Sequence, residues 1–332
     1  MKRINSSLIS TTVRALAQSM TTKIMIILAK KLITDYDIYK RTGFPASIAI
    51  PNKDAARQIV TDIVKQDKFL DLVLLLVEIG DKGLMGRKYA IPYMREIISG
   101  VFDLGYIYDS SNKIFVENPK YSMTRNWGAL KVGEEYTLTF LRLDIVGNSG
   151  IVRENPGDKV EATYTILREI TQKAVHSRNG RIWGWDGDGG LAVFFFGTKN
   201  QSAVMAAMEI LHEVYFHNLI DNRLTKPFQI RTAVHSGPFH YTDDEAELKA
   251  SESVKRVIKI EGNFTKPDTL TISPVVKLML DALAANQFKP FKGSDQLEYY
   301  NYKLRFEVFV ASENSPLLQL FFPTTRWGIL HT

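Results

Sequence analysis

Residues 181–196 read R-I-W-G-W-D-G-D-G-G-L-A-V-F-F-F. Two apolar or aromatic arms enclose Asp186, Gly187, Asp188, Gly189 and Gly190. Asp-Gly and Gly-Gly steps between strand-like runs mark a hairpin, because glycine accepts the positive φ that a tight turn demands. The pattern predicts a β-hairpin with an acidic tip. Alone, that tip is an ordinary solvated turn. Asp188 becomes a candidate metal ligand only if a second carboxylate is brought beside it.

A second stretch supplies the carboxylate. Residues 136–150 read Y-T-L-T-F-L-R-L-D-I-V-G-N-S-G. The β-rich run 136–143 ends in Asp144 and passes into a Gly/Asn/Ser turn. A central strand ending in Asp, then a glycine turn and a helix, presents a carboxylate and backbone N–H groups together, which suits phosphate. An isolated Asp in that place would as readily cap the following helix.

Three segments together carry a resemblance: L-D-I-V-G at 143–147, G-R-I followed by G-D-G-G-L-A-V-F within 180–194, and I-R-T-A-V-H-S-G-P at 230–238. In order and spacing they resemble the three signatures of the class III nucleotidyl cyclase catalytic domain. The similarity spans roughly residues 135–311. It implies an α+β fold, a ferredoxin-type sandwich with extra elements, preceded here by a mostly helical, winged-helix-like N-terminal domain.

Composition bounds the alternatives. The chain has 332 residues, enough for two domains, with 45% hydrophobic and 23% charged residues, the balance of a soluble globular protein. Its net charge of +6 suits a polyanionic ligand such as a nucleotide and is too mild to argue for DNA. With no cysteine there is neither a disulfide framework nor a thiolate metal site, which fits a reducing cytosol. No run approaches the roughly 20 apolar residues of a membrane span; the most apolar, 24–29 and 69–79, are too short. The first residues lack a signal-peptide pattern. The expectation is a cytoplasmic protein without membrane contact.

Four units follow along the chain. Residues 1–118 form a helical regulatory or dimerisation domain. Its helices are expected over 10–31, over 52–80 with Asn52 as N-cap and Gly80 as stop, and over 92–104, before a hairpin at 106–116. Its basic doublets, among them Lys30/Lys31 and Arg87/Lys88, make up no basic helix, so a nucleic-acid partner is the weaker alternative. Residues 119–134 read as a linker. Residues 135–312 are the catalytic domain, with strands at 136–144, 228–235, 269–273 and a pair near 296–311, the hairpin at 181–196, and helices at 158–177, 200–217, 245–261 and 274–285. Residues 313–332, too apolar for a free tail, are expected to dock on the body or on a second subunit.

The resemblance assigns chemistry. Such an enzyme directs a ribose 3′-oxygen at the α-phosphate of a nucleoside triphosphate and releases pyrophosphate. Two divalent cations, manganese or magnesium, would stabilise attacking and leaving oxygens, held by Asp144, Asp188 and the Ile145 carbonyl. Gly147, Asn148 and Ser149 would hold the β- and γ-phosphates. Asp186, two residues before Asp188, is the competing carboxylate; G-D-G-G-L-A-V-F aligns without a gap on Asp188. Arg142, on the Asp144 face of its strand, is a candidate nucleotide contact. His235 and Arg181 are expected in structural roles.

The family's partner subunit supplies an Asn and an Arg four residues apart on one helix. Counting back from T-K-P-D-T-L-T-I-S at 265–273 places Lys255 and Lys259 there. Both depart from the pattern, and Arg256 would serve if the register slips by one; a solvated basic face is the alternative. Purine cyclases place Lys or Glu where this chain has Gly184, with a helix partner near Glu252. A missing purine reader favours a pyrimidine, uridylate before cytidylate, as in the Pycsar-type bacterial cyclases, whose products activate an antiphage effector. The expectation is a homodimeric cyclase with shared sites; an adenylate or guanylate cyclase and a cyclase-like nucleotide sensor without turnover remain open, as does a regulator led by the N-terminal domain.

Overall fold

The computed structural model describes residues 4–45, 47–110 and 112–304. Six helices come first: α1 (Ser6–Ser19), α2 (Thr22–Leu32), α3 (Ile38–Thr42), α4 (Asn52–Lys65), α5 (Phe69–Lys82) and α6 (Met94–Asp103). An antiparallel hairpin follows, β1 (Tyr106–Asp109) with β2 (Ile114–Glu117). Apolar residues at helical spacing, among them Leu16, Leu28, Ile59, Leu72, Leu76 and Ile97, build one core here.

Two long expected helices are each divided. The 10–31 helix breaks at Met20 and Thr21, which adopt extended backbone. Asn52 explains the break: its side-chain oxygen accepts from the Thr22 N–H and hydroxyl, and its Nδ2 donates to the Met20 carbonyl. Asn52 thus satisfies the start of α2, and Pro51 takes the cap position of α4 instead. The 52–80 helix breaks around Asp67, whose φ of +57° no helix accommodates.

The remaining elements alternate: β3 (Glu135–Ile145), α7 (Asn148–Glu154), α8 (Gly157–His176), β4 (Arg181–Asp186), β5 (Gly189–Phe194), α9 (Lys199–Ile220), β6 (Ile230–His240), α10 (Glu245–Ala250), α11 (Glu252–Lys259), β7 (Thr269–Ile272), α12 (Pro274–Leu278), α13 (Ala282–Ala285), β8 (Lys289–Lys292) and β9 (Glu298–Lys303). The strands form one sheet ordered β4-β5-β3-β6-β7-β9-β8, antiparallel throughout except for the parallel β6–β7 pair. This is an α+β fold with a helical N-terminal region.

Three expectations are refined. The 245–261 helix is interrupted at extended Ser251, and α11 runs on into one wider π turn, Ile260–Phe264. The 274–285 helix is two short ones, the second capped by Asp281, which accepts from Ala284 N–H. The partner of β9 is β8, which precedes it, so the C-terminal pair sits earlier than 296–311. The docking segment 313–332 lies outside the described residues.

Alternation along β3 fixes both faces of the sheet. Leu141, Leu143 and Ile145 pack under α8 and α9. Leu138 and Phe140 face the other way, into a core closed by α10, α11 and the π turn. Arg142 and Asp144 continue that second row, so Asp144 emerges where the second core ends.

Trp127 anchors this second core from the stretch before β3. It is fully buried at φ +55°, its Nε1 donates to the Asn179 carbonyl at 2.8 Å, and its ring meets those of Trp183, Phe195 and Phe196. The Arg181 guanidinium covers it, 5.2 Å from the ring centre. Trp127→Ala is expected to cost about 3–5 kcal/mol, read as a lowered urea midpoint; a loss below about 1 kcal/mol would contradict this placement.

Candidate active site

The β3–β5 ladder brings the two motifs together. Asp144 pairs with Gly189, and the Ile145 N–H donates to the Asp188 carbonyl at 3.2 Å. A two-residue turn, Gly187–Asp188, links β4 to β5, with Gly187 at φ +58° in the position that demands glycine. Gly189 is required by proximity: a Cβ there would lie 2.5 Å from the Leu143 carbonyl oxygen and 2.8 Å from Asp144 Oδ1. Gly189→Ala is expected to push Asp144 aside and destabilise the fold by roughly 1–3 kcal/mol, a backbone clash cost, with altered carboxylate titration by NMR as the direct readout.

Charge accounts for the site's chemistry. Burial raises the pKa of Asp144, Asp188 raises it further, and Arg231 and Arg142 oppose both. Arg231 Nη2 donates to Asp144 Oδ2 at 3.0 Å; Arg142 stands 3.7 Å from Oδ1. Arg231 faces Asp144 directly in the β3–β6 register, where cross-strand side chains meet. Behind it lies Glu261, from the π turn, only 4% exposed, with Oε1 2.8 Å from Arg231 Nε. Burial raises the pKa of Glu261; Arg231 offsets this, while Asp144 and Asp188 add to it.

These residues fit a hard divalent cation. Two carboxylates on adjacent strand ends repel one another in a partly dehydrated place, and a cation between them would relieve both the repulsion and the burial. Among the described residues no group of three or more His, Asp or Glu is arranged to hold a metal ion. The pair would need a backbone carbonyl, such as that of Ile145, and substrate oxygens to complete a coordination shell.

The residues expected to hold phosphate, Gly147, Asn148 and Ser149, lie where the strand ends. Gly147 sits at the N-cap of α7 with φ +65°, Asn148 accepts from the Tyr164 hydroxyl at 2.6 Å, and the Ser149 carbonyl accepts from Arg153 Nε. Asp186 parts from Asp188: it ends β4, is largely exposed, and pairs with Lys249 at 3.7 Å.

Gly184 lies in the same row as Arg142. The β4–β5 register slips at Trp183, placing Gly184 opposite Leu191, which is itself opposite Arg142. Two strand spacings, about 9–10 Å, separate them on one face. A Cβ at Gly184 would meet nothing within 4 Å, so this part of the face is open. Arg142 Nε is buried and has no hydrogen-bond partner.

The basic helix is engaged elsewhere in the chain. Arg256 Nη2 donates to the Tyr299 hydroxyl at 2.6 Å and stands 3.8 Å from Asp295; Lys259 Nζ is 3.3 Å from the same carboxylate. Lys255 pairs with Glu252 at 3.3 Å, and the Glu252 side chain is 92% exposed. Arg181 is structural: it bonds the Thr124, Asn179 and Gly180 carbonyls, and burial pushes its pKa down to about 10. His235 Nδ1 lies 2.9 Å from Ser273 Oγ.

Arg231 and Glu261 are the residues that motif reading passed over. Arg231 lies inside I-R-T-A-V-H-S-G, and aligning that strand against Asp144 would have exposed it. Glu261 is the last residue of the stretch expected as helix and carried no signal, because its inward turn depends on the π turn.

No protein-family model and no curated protein matches the chain. Among solved structures it is similar to the guanylate cyclase domain of RhGC from Catenaria anguillulae in complex with GTP, at 18% identity over 52% of this chain and 100% of that one, with TM-score 0.43. It is also similar to the adenylyl cyclase CyaB from P. aeruginosa, at 15% identity over 52% and 96%, with TM-score 0.44. A third is the adenylate/guanylate cyclase/hydrolase from Silicibacter pomeroyi, at 19% identity over 52% and 99%, with TM-score 0.43. These structural neighbours are nucleotidyl cyclases, and the likeness is one of fold. No helix among the described residues is long and apolar enough to cross a membrane.

The titration of His235 gives a sign-definite test. Burial, with Arg256 adding to it, pushes its pKa down from 6.5 to about 4. The folded state therefore binds fewer protons than the unfolded one between those values. The contribution is complete above pH 6.5 and is lost as pH falls toward 4, by at most roughly 3 kcal/mol. Urea titrations from pH 7 to 4 should show a shallower fall for His235→Gln than for the wild type; parallel curves would rule this out.

Proposed function

We propose that the chain is a metal-dependent nucleotidyl cyclase that converts a nucleoside triphosphate to a 3′,5′-cyclic nucleotide and pyrophosphate. The observation that carries this is the meeting of Asp144 and Asp188 at adjacent strand ends, with a glycine turn and a helix start directly after Asp144. Manganese or magnesium at this pair would stabilise the 3′-oxygen as nucleophile and the leaving pyrophosphate.

The chain's own residues then divide the work. Asp144, Asp188 and the Ile145 carbonyl hold the cations. Backbone N–H groups at Gly147, Asn148 and Ser149 take the β- and γ-phosphates. Arg142 contacts the nucleotide with its unpartnered Nε. In a homodimer with shared sites, Lys255, Arg256 and Lys259 approach the partner's triphosphate and oppose charge growing on it.

Within this reading we favour a pyrimidine product, cyclic UMP before cyclic CMP, serving as a messenger to a separate effector in antiphage defence. Support comes from Gly184, which leaves open space and no hydrogen-bonding side chain where a purine reader would stand; Glu252 points to solvent and pairs with Lys255. A second reading, a nucleotide sensor without turnover, is supported by the engagement of Arg256 and Lys259 with Asp295.

Incubating the protein with manganese and each of the four ribonucleoside triphosphates, then weighing the products, tests this. Cyclic UMP or CMP is expected. Cyclic AMP or GMP alone would overturn the base assignment, and nucleotide-dependent thermal stabilisation without product would favour the sensor. Asp144→Ala and Asp188→Ala should each lower turnover by roughly a thousandfold or more while the fold persists, since each removes several kcal/mol of charge stabilisation.

A further inference from the structure

We propose that Glu261 is a positioning residue that restrains Arg231, so that Arg231 neutralises one oxygen of Asp144 and leaves the other for a divalent cation. The inference rests on the reading of Asp144 as a metal ligand and extends it to two residues outside the motifs.

The geometry carries the argument. A guanidinium facing a carboxylate across paired strands is free to form a two-pronged clamp, with Nε and one Nη each meeting an oxygen. Such a clamp would engage both oxygens of Asp144 and compete with a cation for them. Here Arg231 reaches Asp144 through Nη2 alone, at Oδ2, 3.0 Å away. Its Nε is drawn to Glu261 Oε1 at 2.8 Å. Among the described residues Arg142 is the cationic side chain recorded near Oδ1, at 3.7 Å, longer than a hydrogen bond.

Glu261 is placed for this task and for no evident other. It is almost wholly buried, and a buried carboxylate is costly without a paired charge. It reaches Arg231 only because α11 widens into the π turn at Ile260–Phe264. Such wide turns are frequent at functional sites. The pair is ionic in character rather than a well-aligned hydrogen bond: Arg231 Nε and Glu261 Oε1 are both buried without a hydrogen-bond partner. The restraint is thus electrostatic and leaves the guanidinium free to adjust when Asp144 takes a cation.

Removing Glu261 should release Arg231 onto Asp144. The test is manganese binding without nucleotide, read by the paramagnetic resonance of free manganese, on wild type, Asp144→Ala, Glu261→Gln, Arg231→Met and the double variant Glu261→Gln/Arg231→Met. Glu261→Gln is expected to weaken binding about tenfold, the usual scale for a residue that orients a ligand. The double variant should bind manganese better than Glu261→Gln alone, because the freed clamp is gone. A merely structural Glu261 would give the same gain from Arg231→Met in either background, whereas the inference requires a larger gain in the Glu261→Gln background than in the wild type.

Circular dichroism and thermal unfolding keep loss of fold apart from loss of metal. Should Glu261→Gln unfold, Glu261→Asp replaces it, a shorter carboxylate expected to weaken binding less. Wild-type affinity in folded Glu261→Gln, or no recovery in the double variant, overturns the inference. Unchanged binding in Asp144→Ala would instead overturn the assignment of Asp144 as a metal ligand, so the two failures are distinguishable.

Discussion

The central constraint is the antiparallel register between β3 and β5. It sets Asp144 opposite Gly189 and ties Ile145 to the Asp188 carbonyl. Only a residue without a side chain fits at position 189, because the Leu143 carbonyl and the Asp144 carboxylate already fill that space. A slip of one residue would turn Asp144 and Arg142 into the apolar layer under α8 and α9, where neither charge has a partner. Register, core and charge are therefore one problem with one solution. The apolar alternation of β3 fixes the face, the glycine at 189 permits the approach, and the arginines make the carboxylate tolerable.

That solution was legible where local chemistry and tertiary position agree. Asp-Gly-Asp-Gly-Gly between aromatic arms is a turn by its own geometry, and the β-rich run ending in Asp144 is a strand by its own pattern. Expectation diverged where a distant side chain decides. Nothing local to 10–31 marks a break at Met20; Asn52, thirty-odd residues on, satisfies the released backbone groups. Helix α11 reads as continuous through Glu261 in periodicity, and the π turn that buries this residue comes from packing. Arg231 was visible as part of a motif but not as a site residue, because its significance depends on which strand lies beside it.

The N-terminal region joins the seven-stranded sheet through the stretch before β3. Glu117, at the end of β2, is buried and accepts from the Thr124 N–H, and its own N–H donates to the Trp127 carbonyl. Lys131 stands 3.8 Å from Asp71 of α5. Trp127 then enters the core beneath Trp183, the residue where β4 slips register. The helical region is thus packed, by way of Trp127, against the slip that sets Gly184 on the face of Arg142. That is a contiguous packed route between two regions.

The basic helix poses the complementary problem. Arg256 and Lys259 share one carboxylate, Asp295, and Tyr299 lies between: it accepts from Arg256 and donates to Asp295. Two cations on one anion leave a net positive charge, held in place by an ionic contact exposed enough to be worth little in water. Under the proposed function this suits a residue set that must exchange partners. A triphosphate offers several anionic oxygens where Asp295 offers one carboxylate, and guanidinium binds phosphate in a planar, two-pronged fashion that ammonium does not. Under the proposed function Arg256 is therefore better suited than either lysine to a phosphate-facing role, although it stands beside Lys255 and three residues before Lys259. Its hold on Tyr299 fixes the direction of the guanidinium, and the neighbouring lysines add charge without direction.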